Sequence, residues 1–276
     1  MRVDTMAKSV FFASTLLMVT LKDGGIGYGT GFIFNAAAHP RLEPILITAS
    51  HVVNGGASLD AEFIKRGPDG EPVYGETLAV TVTDLDDRIV HLPDTDLCGM
   101  RLGADLQRAS VDGFAYFAAP GRGQYPTDAE LAVIDPGERV VFVGYPDGQY
   151  DTTNKTPIAR QAIISTPVQL DYRGAPVFLI DGNIVEGSSG SPVYLMQEPI
   201  RHSVNGDYGL QPFSRMLFLG ILTHVHDTVV DADVEMAGSI QPKVTFRPPI
   251  GLGTVVKWSA VQRLVELLFQ RAPARP

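Results

Sequence analysis

The apolar residues of this chain come in short runs, each broken within a few residues by Gly, Pro, Asp or Asn. That punctuation constrains the fold more than any other feature. A buried helix needs about ten periodic residues, whereas a strand needs only about four to eight. The pattern predicts strands over Thr15–Leu21, Gly29–Phe34, Pro44–Thr48, Leu78–Thr83, Arg88–His91 and Leu97–Leu102. A second set is predicted over Arg139–Gly144, Ala159–Thr166, Pro176–Ile180, Pro192–Leu195, Met216–Leu222 and Gly253–Val256. Strands and helices do not alternate and no repeat of fixed period appears, so the expected class is all-β. Helix is expected at a single turn through Ala49–Val53 and at Ser259–Gln270. In the latter, Val261, Leu264, Val265 and Leu268 fall at helical spacing behind a Ser259 cap.

The stretch Tyr116–Glu130 is rich in Pro and Gly, has little periodicity, and reads as a connection between the two sets. Six antiparallel strands on either side suit closed barrels, which leave no exposed sheet edge. The expected organisation is two six-stranded antiparallel β-barrels with a C-terminal helix. Residues 1–120 would form the first barrel, and residues 121–276 the second barrel with the helix. Asn54–Thr77 and Gln197–Arg215 read as long loops, which are uncommon without a purpose.

Composition narrows the function. With 276 residues, 45% of them hydrophobic and 19% charged, the chain can bury a substantial core. Its net charge of −9 repels phosphate backbones, so nucleic acid is not an expected partner. The single cysteine, Cys98, precludes an internal disulfide and a cysteine-rich zinc site, and suits a reducing compartment. Ser9–Leu21 reads either as a buried first strand or as a secretory signal. It is too short to cross a bilayer as a helix, Asp4 interrupts the charged start, and no small-residue cleavage site follows. The strand reading makes the chain cytoplasmic with no membrane association. If residues 9–21 act as a signal, it is exported.

Chemistry concentrates in Asp181–Leu195, DGNIVEGSSGSPVYL. Ser188, Ser189 and Ser191 are framed by Gly187, Gly190 and Pro192. A plain Gly/Ser turn would account for that composition. So would a backbone that exposes one serine oxygen beside its own amides. A nucleophilic serine needs a base, an acceptor that orients the base, and amide donors for the oxyanion. His51 stands at the end of the apolar run PILITASHVV, a rigid mount for a base. The orienting carboxylate should have little solvent access. Asp96 opens the apolar strand DLCGMRL and fits, with Asp94 in the preceding loop as its competitor.

Three motifs in order, TASHVV, DLCGMRL and GSSGSP, resemble the His, Asp and Ser motifs of the trypsin-like (chymotrypsin-fold) serine peptidases, in their bacterial, disulfide-free form. Gly29-Thr30-Gly31-Phe32 resembles the family's turn before the histidine strand, and Leu219–Thr223 the strand that lines the substrate. The resemblance implies Ser189 as nucleophile, His51 as general base and Asp96 as its orienting acid. It implies an oxyanion hole from the amides of Gly187 and Ser189. It also implies substrate contacts at Asn183, Glu186, Thr223, His224 and Val225, with the Thr223 hydroxyl supporting the acid. No cofactor and no metal are expected. Ser188 stands where trypsin has the aspartate that captures a freshly cut N-terminus, so that activation switch is not expected.

Other readings are weaker. The pair His224 and His226 could share a face of a strand, but no fourth ligand or zinc-binding helix motif accompanies it. An α/β-hydrolase places its serine in G-x-S-x-G before a helix. Here the fifth residue is Ser191 and strand-like PVYL follows. The sequence therefore predicts a serine endopeptidase acting on protein or peptide substrates, in regulated processing of a partner protein. The alternative is a latent or inactive peptidase-fold binding module, activated by or serving a regulatory protein partner.

Overall fold

A computed structural model describes residues 1–35, 43–120, 122–196, 200–202, 208–210, 216–227, 230–233, 243–246 and 248–270. The chain is mainly β, as the punctuated pattern requires. The first half builds an eight-stranded sheet. Its strands run in the spatial order Pro72–Thr83, Gly56–Arg66, Ser14–Leu21, Ile26–Asn35, Pro44–Thr48, Leu97–Arg101 and Val90–Leu92. Phe114–Tyr116 adds to the Gly56–Arg66 strand. The second half is a closed six-stranded barrel in the order Ile158–Ile164, Val177–Asp181, Pro249–Lys257, Met216–Asp227, Pro192–Met196 and Arg139–Gly144. The described pairings of both are antiparallel.

The first half has more strand than the sequence suggested. Asn54–Thr77 is not a long loop. Gly56–Arg66 and Pro72–Thr83 form a hairpin turned through Gly67–Glu71, where the Gly67 N–H donates to the Glu71 carbonyl at 2.8 Å. Its charged residues disguise an alternating strand. Leu59, Ala61 and Phe63 face the core while Asp60 and Glu62 face outward. On the return strand Leu78, Val80 and Val82 are buried and Ala79, Thr81 and Thr83 exposed, the period of two that a half-buried strand requires. Arg88–His91 is likewise not one strand. Leu85–Arg88 forms a helical turn and the strand is Val90–Leu92. Of Gln197–Arg215, Ile200–His202 and Tyr208–Leu210 pair as a hairpin, and the rest lies outside the described residues.

Residues 9–21 divide into a 3-10 turn, Val10–Ala13, and the strand Ser14–Leu21, which sits between two others in the sheet. Among the described residues, no helix is long and apolar enough to cross a membrane.

Each half has its own core, and a third cluster joins them. Phe32 and Phe34 of the first sheet meet Tyr194 and Phe218 of the barrel, and the Phe32 and Phe218 rings stack at 4.8 Å. The final helix, Trp258–Gln270, leaves the barrel and buries Val261, Leu264 and Leu268 in that same cluster. Trp258 stacks on Tyr125 at 4.6 Å, so it is a packing residue. This helix and the shared aromatic cluster hold the two halves in register, and the site lies where they meet.

One charged group sits inside the first half. The Asp105 carboxylate is fully buried and takes Arg88 at 2.6 Å, with Arg108 on its other oxygen. Arg108 is itself 64% exposed, so losing Arg88 removes the shielded partner and leaves the buried carboxylate poorly compensated. Arg88→Ala is expected to lower folding stability by about 3 kcal/mol, measured by urea denaturation.

Candidate active site

Strand register brings His51 to Asp96. Pro44–Thr48 runs antiparallel to Leu97–Arg101, with Leu46 opposite Met100 and Thr48 opposite Cys98. Extended by two residues, that register puts Ser50 opposite Asp96, and the Ser50 N–H donates to the Asp96 carbonyl at 3.3 Å. The short helix Ser50–Val53 starts there, and its first turn presents His51 to the same aspartate. Asp96 Oδ1 accepts the His51 main-chain N–H at 3.0 Å, and Oδ2 meets Nδ1 of the ring at 2.6 Å. A carboxylate on Nδ1 selects the tautomer with hydrogen there, which leaves Nε2 as the basic nitrogen. Asp94 sits apart in a left-handed turn, φ +61°.

Two expectations about the aspartate need correction. The His51 and Asp96 side chains are 48% and 35% exposed, so the carboxylate is not secluded. It lies at the rim of the sheet, one residue before its strand begins. Among the described residues, no hydrogen bond joins the Thr223 hydroxyl to Asp96. The Thr223 carbonyl is the group in use, and it faces the serine.

Behind the pair, Ser50 Oγ meets His91 Nδ1 at 2.9 Å. Cys98 is buried beside them. Burial pushes its thiol up to about 12, against an opposing hydrogen bond from Ser50. A buried thiol kept in its neutral form is a poor nucleophile. Iodoacetamide is expected to leave native Cys98 unmodified at pH 8 and to alkylate it in urea, as read by intact mass.

The serine loop explains its glycines. Gly187 and Gly190 have φ of +78° and +93°, a left-handed conformation that only glycine adopts freely. Space forbids a side chain as well. A Cβ on Gly190 would overlap the Thr30 carbonyl, and one on Gly187 the main chain of Tyr145–Asp147. The loop is docked on both halves. The Gly190 N–H donates to the Leu222 carbonyl at 2.7 Å, and the Leu222 N–H to the Ser191 carbonyl at 2.9 Å. From the first half, the Thr30 N–H donates to the Ser189 carbonyl at 3.0 Å.

Ser189 is 6% exposed, and its hydroxyl donates to the Thr223 carbonyl at 3.3 Å. Among the described residues, no hydrogen bond joins this hydroxyl to His51. Nor does any described acceptor meet the N–H groups of Gly187 and Ser189. The adjoining peptides are all anchored: the Glu186 carbonyl accepts from Asp147 N–H at 2.7 Å and the Ser188 carbonyl from Ser191 N–H at 3.1 Å. The carbonyl and the following N–H of a trans peptide point opposite ways, so these anchors fix where both free donors aim.

The remaining expected residues surround this loop. Thr223, His224 and Val225 lie on the strand Met216–Asp227. Along one edge His224 pairs with Thr254 and Val225 with Gly253. On the other edge the partner strand Pro192–Met196 ends opposite Ile221, so among the described strands none covers residues 223–225. His224 is exposed, while the His226 ring is engaged by the Thr254 hydroxyl at 2.9 Å. Asn183 and Glu186 are exposed in the turn before the serine. Sequence reasoning placed Thr30 in a turn motif without giving it a role, and missed the Tyr145–Asp147 turn. Their residue types carry no catalytic signal, and only the folded chain puts them against the loop.

A family model described as a trypsin-like peptidase domain matches residues 29–198, a span that contains His51, Asp96 and Ser189. The chain belongs to the trypsin-like peptidase family. Two solved structures give the same fold. The active form of the Rv3671c protease from M. tuberculosis is similar at 15% identity and a TM-score of 0.51, covering 98% of this chain and 86% of that one. HL collagenase is similar at 13% identity and a TM-score of 0.51, covering 95% of each chain. No curated protein matches the sequence. The family fold is therefore a chymotrypsin-like double barrel.

Proposed function

We propose that this protein is a serine endopeptidase that cuts protein substrates through a His51–Asp96–Ser189 triad. The observation that carries the reading is the 2.6 Å contact from Asp96 to His51 Nδ1, which leaves Nε2 free to take a proton. In the reaction, Ser189 Oγ forms a bond to the scissile carbonyl carbon as its proton passes to His51 Nε2. The carbonyl oxygen becomes an oxyanion, received by the N–H groups of Gly187 and Ser189. Collapse breaks the C–N bond, and the His51 proton goes to the leaving amine. Water then repeats the sequence on the acyl-enzyme, regenerating Ser189 and releasing the acid. The bare edge at residues 223–225 takes the substrate main chain as an added strand. Asn183 and Glu186, exposed in the turn before the serine, contact the substrate side chain. No cofactor enters any step. The division of labour is residues 1–120 for base and acid, and residues 121–276 for nucleophile and substrate.

Proteome-wide labelling of new N-termini is the test. Added to a lysate, the wild type is expected to create a defined set of termini that Ser189→Ala does not. Identical termini from both proteins would overturn the reading.

One observation favours a second reading, a latent enzyme ordered by a regulatory protein. The Ser189 hydroxyl rests on the Thr223 carbonyl and makes no described hydrogen bond to His51. In resting enzymes such bonds often tighten only with substrate. A latent enzyme would show weak peptide hydrolysis that rises when the partner is added. Full activity of the isolated chain would dismiss this reading.

A further inference from the structure

We infer that Thr30 is the positioning residue that holds the oxyanion loop open, taking the place of the N-terminal latch that Ser188 cannot form. This rests on the serine-peptidase reading and deepens it. Thr30 lies in the Ile26–Asn35 strand and is fully buried. Every polar group it has is spent at the site. Its N–H donates to the Ser189 carbonyl at 3.0 Å. Its hydroxyl accepts from the Tyr145 N–H at 3.0 Å and donates to the Gly187 carbonyl at 3.1 Å. Its carbonyl accepts from the Thr48 hydroxyl at 2.8 Å, three residues before His51. One residue thus ties together the histidine strand, the serine loop and the Tyr145–Asp147 turn.

The hydroxyl is the part that bears on catalysis. Gly187 can flip its flanking peptides, because its φ of +78° lies where glycine moves freely. A flip would turn a carbonyl into the hole where an N–H is needed. One bond opposes it directly: Asp147 N–H grips the Glu186 carbonyl, which shares a peptide with the Gly187 N–H. Thr30 Oγ1 holds the next peptide by the Gly187 carbonyl and so restricts the chain on the other side of Gly187. The same oxygen also holds Tyr145, so it anchors the turn that presents Asp147. By contrast the Ser188 hydroxyl is 1% exposed and, among the described residues, has no hydrogen-bond partner. It carries no charge with which to capture an ammonium group. The latch has moved from the loop to the neighbouring strand.

The test is the rate at which a fluorophosphonate probe labels Ser189 in the full chain. Thr30→Val keeps the shape and removes the hydroxyl; labelling is expected to slow about 100-fold, the scale for losing one oxyanion donor. Thr30→Ser keeps the hydroxyl and is expected to stay within about threefold of wild type. With a peptide substrate, Thr30→Val should lower kcat and leave KM unchanged. The shape of its pH profile should persist, because His51 and Asp96 are untouched. A merely structural role would instead reduce the labelled fraction and spare the rate of the folded remainder. If Thr30→Val does not fold, Thr30→Ala, with room for water beside Tyr145, carries the same expectation. A Val or Ala variant labelled at the wild-type rate, or a Ser variant as slow as they are, overturns the inference and leaves the peptidase reading standing. A wild type that takes no label sinks that reading, and the latch with it.

Discussion

Ser189→Ala is expected to cut peptide hydrolysis about 10⁶-fold, the scale set by removing the nucleophile of another serine peptidase. The alanine leaves the loop intact, because the contacts that dock it come from the main chain. The Ser189 carbonyl accepts from Thr30, and the Gly190 and Ser191 main chain pairs with Leu222. What disappears is one oxygen, and with it the acyl-enzyme. Its only described bond, to the Thr223 carbonyl, adds little to stability, so the melting temperature should stay within a few degrees of wild type. Hydrolysis kinetics and thermal melting on the same preparations separate the two effects. A variant that keeps most of its activity would move the nucleophile elsewhere.

Asp96→Asn tests the group that orients the base, and about 10⁴-fold in kcat is expected to go. The substitution preserves shape and one bond, since the amide oxygen can still accept the His51 main-chain N–H that Oδ1 accepts now. The other contact reverses. In place of Oδ2 an NH₂ group faces Nδ1 and donates to it, which forces the ring hydrogen onto Nε2. The histidine then offers Ser189 a donor where it must offer an acceptor. KM should change little, because Asp96 touches no substrate. Steady-state kinetics at pH 7 to 9 read both quantities. A loss below tenfold would assign Asp96 to capping the Ser50–Val53 helix alone.

Most of the strands were legible as short, nearly continuous apolar runs ended by turn residues, as in Pro44–Thr48 and Arg139–Gly144. The longest that was not has a plain cause. Gly56–Arg66 carries Asp60, Glu62, Lys65 and Arg66, and outward-facing charge on an alternating strand imitates the polarity of a loop. With it and the three-residue Phe114–Tyr116, too short to show a pattern, the first half is eight-stranded rather than six. At the site, the three motifs were readable because nucleophile, base and acid each need a particular residue type. Thr30 and Asp147 were not, because each acts on main-chain groups that only the fold brings to it, Thr30 through its hydroxyl and Asp147 through its N–H. Asp147 contributes only its N–H, which almost any residue has. The exposure of Asp96 was equally hidden, since it depends on where the sheet ends and not on the apolar residues beside it.

The most direct test of the central claim is the mass of the intact protein, and then of its peptides, after treatment with a fluorophosphonate. A single phosphonyl adduct on the peptide containing Ser189, absent from Ser189→Ala, is the predicted result. No adduct under conditions that label trypsin, or an adduct on a different residue, would contradict it.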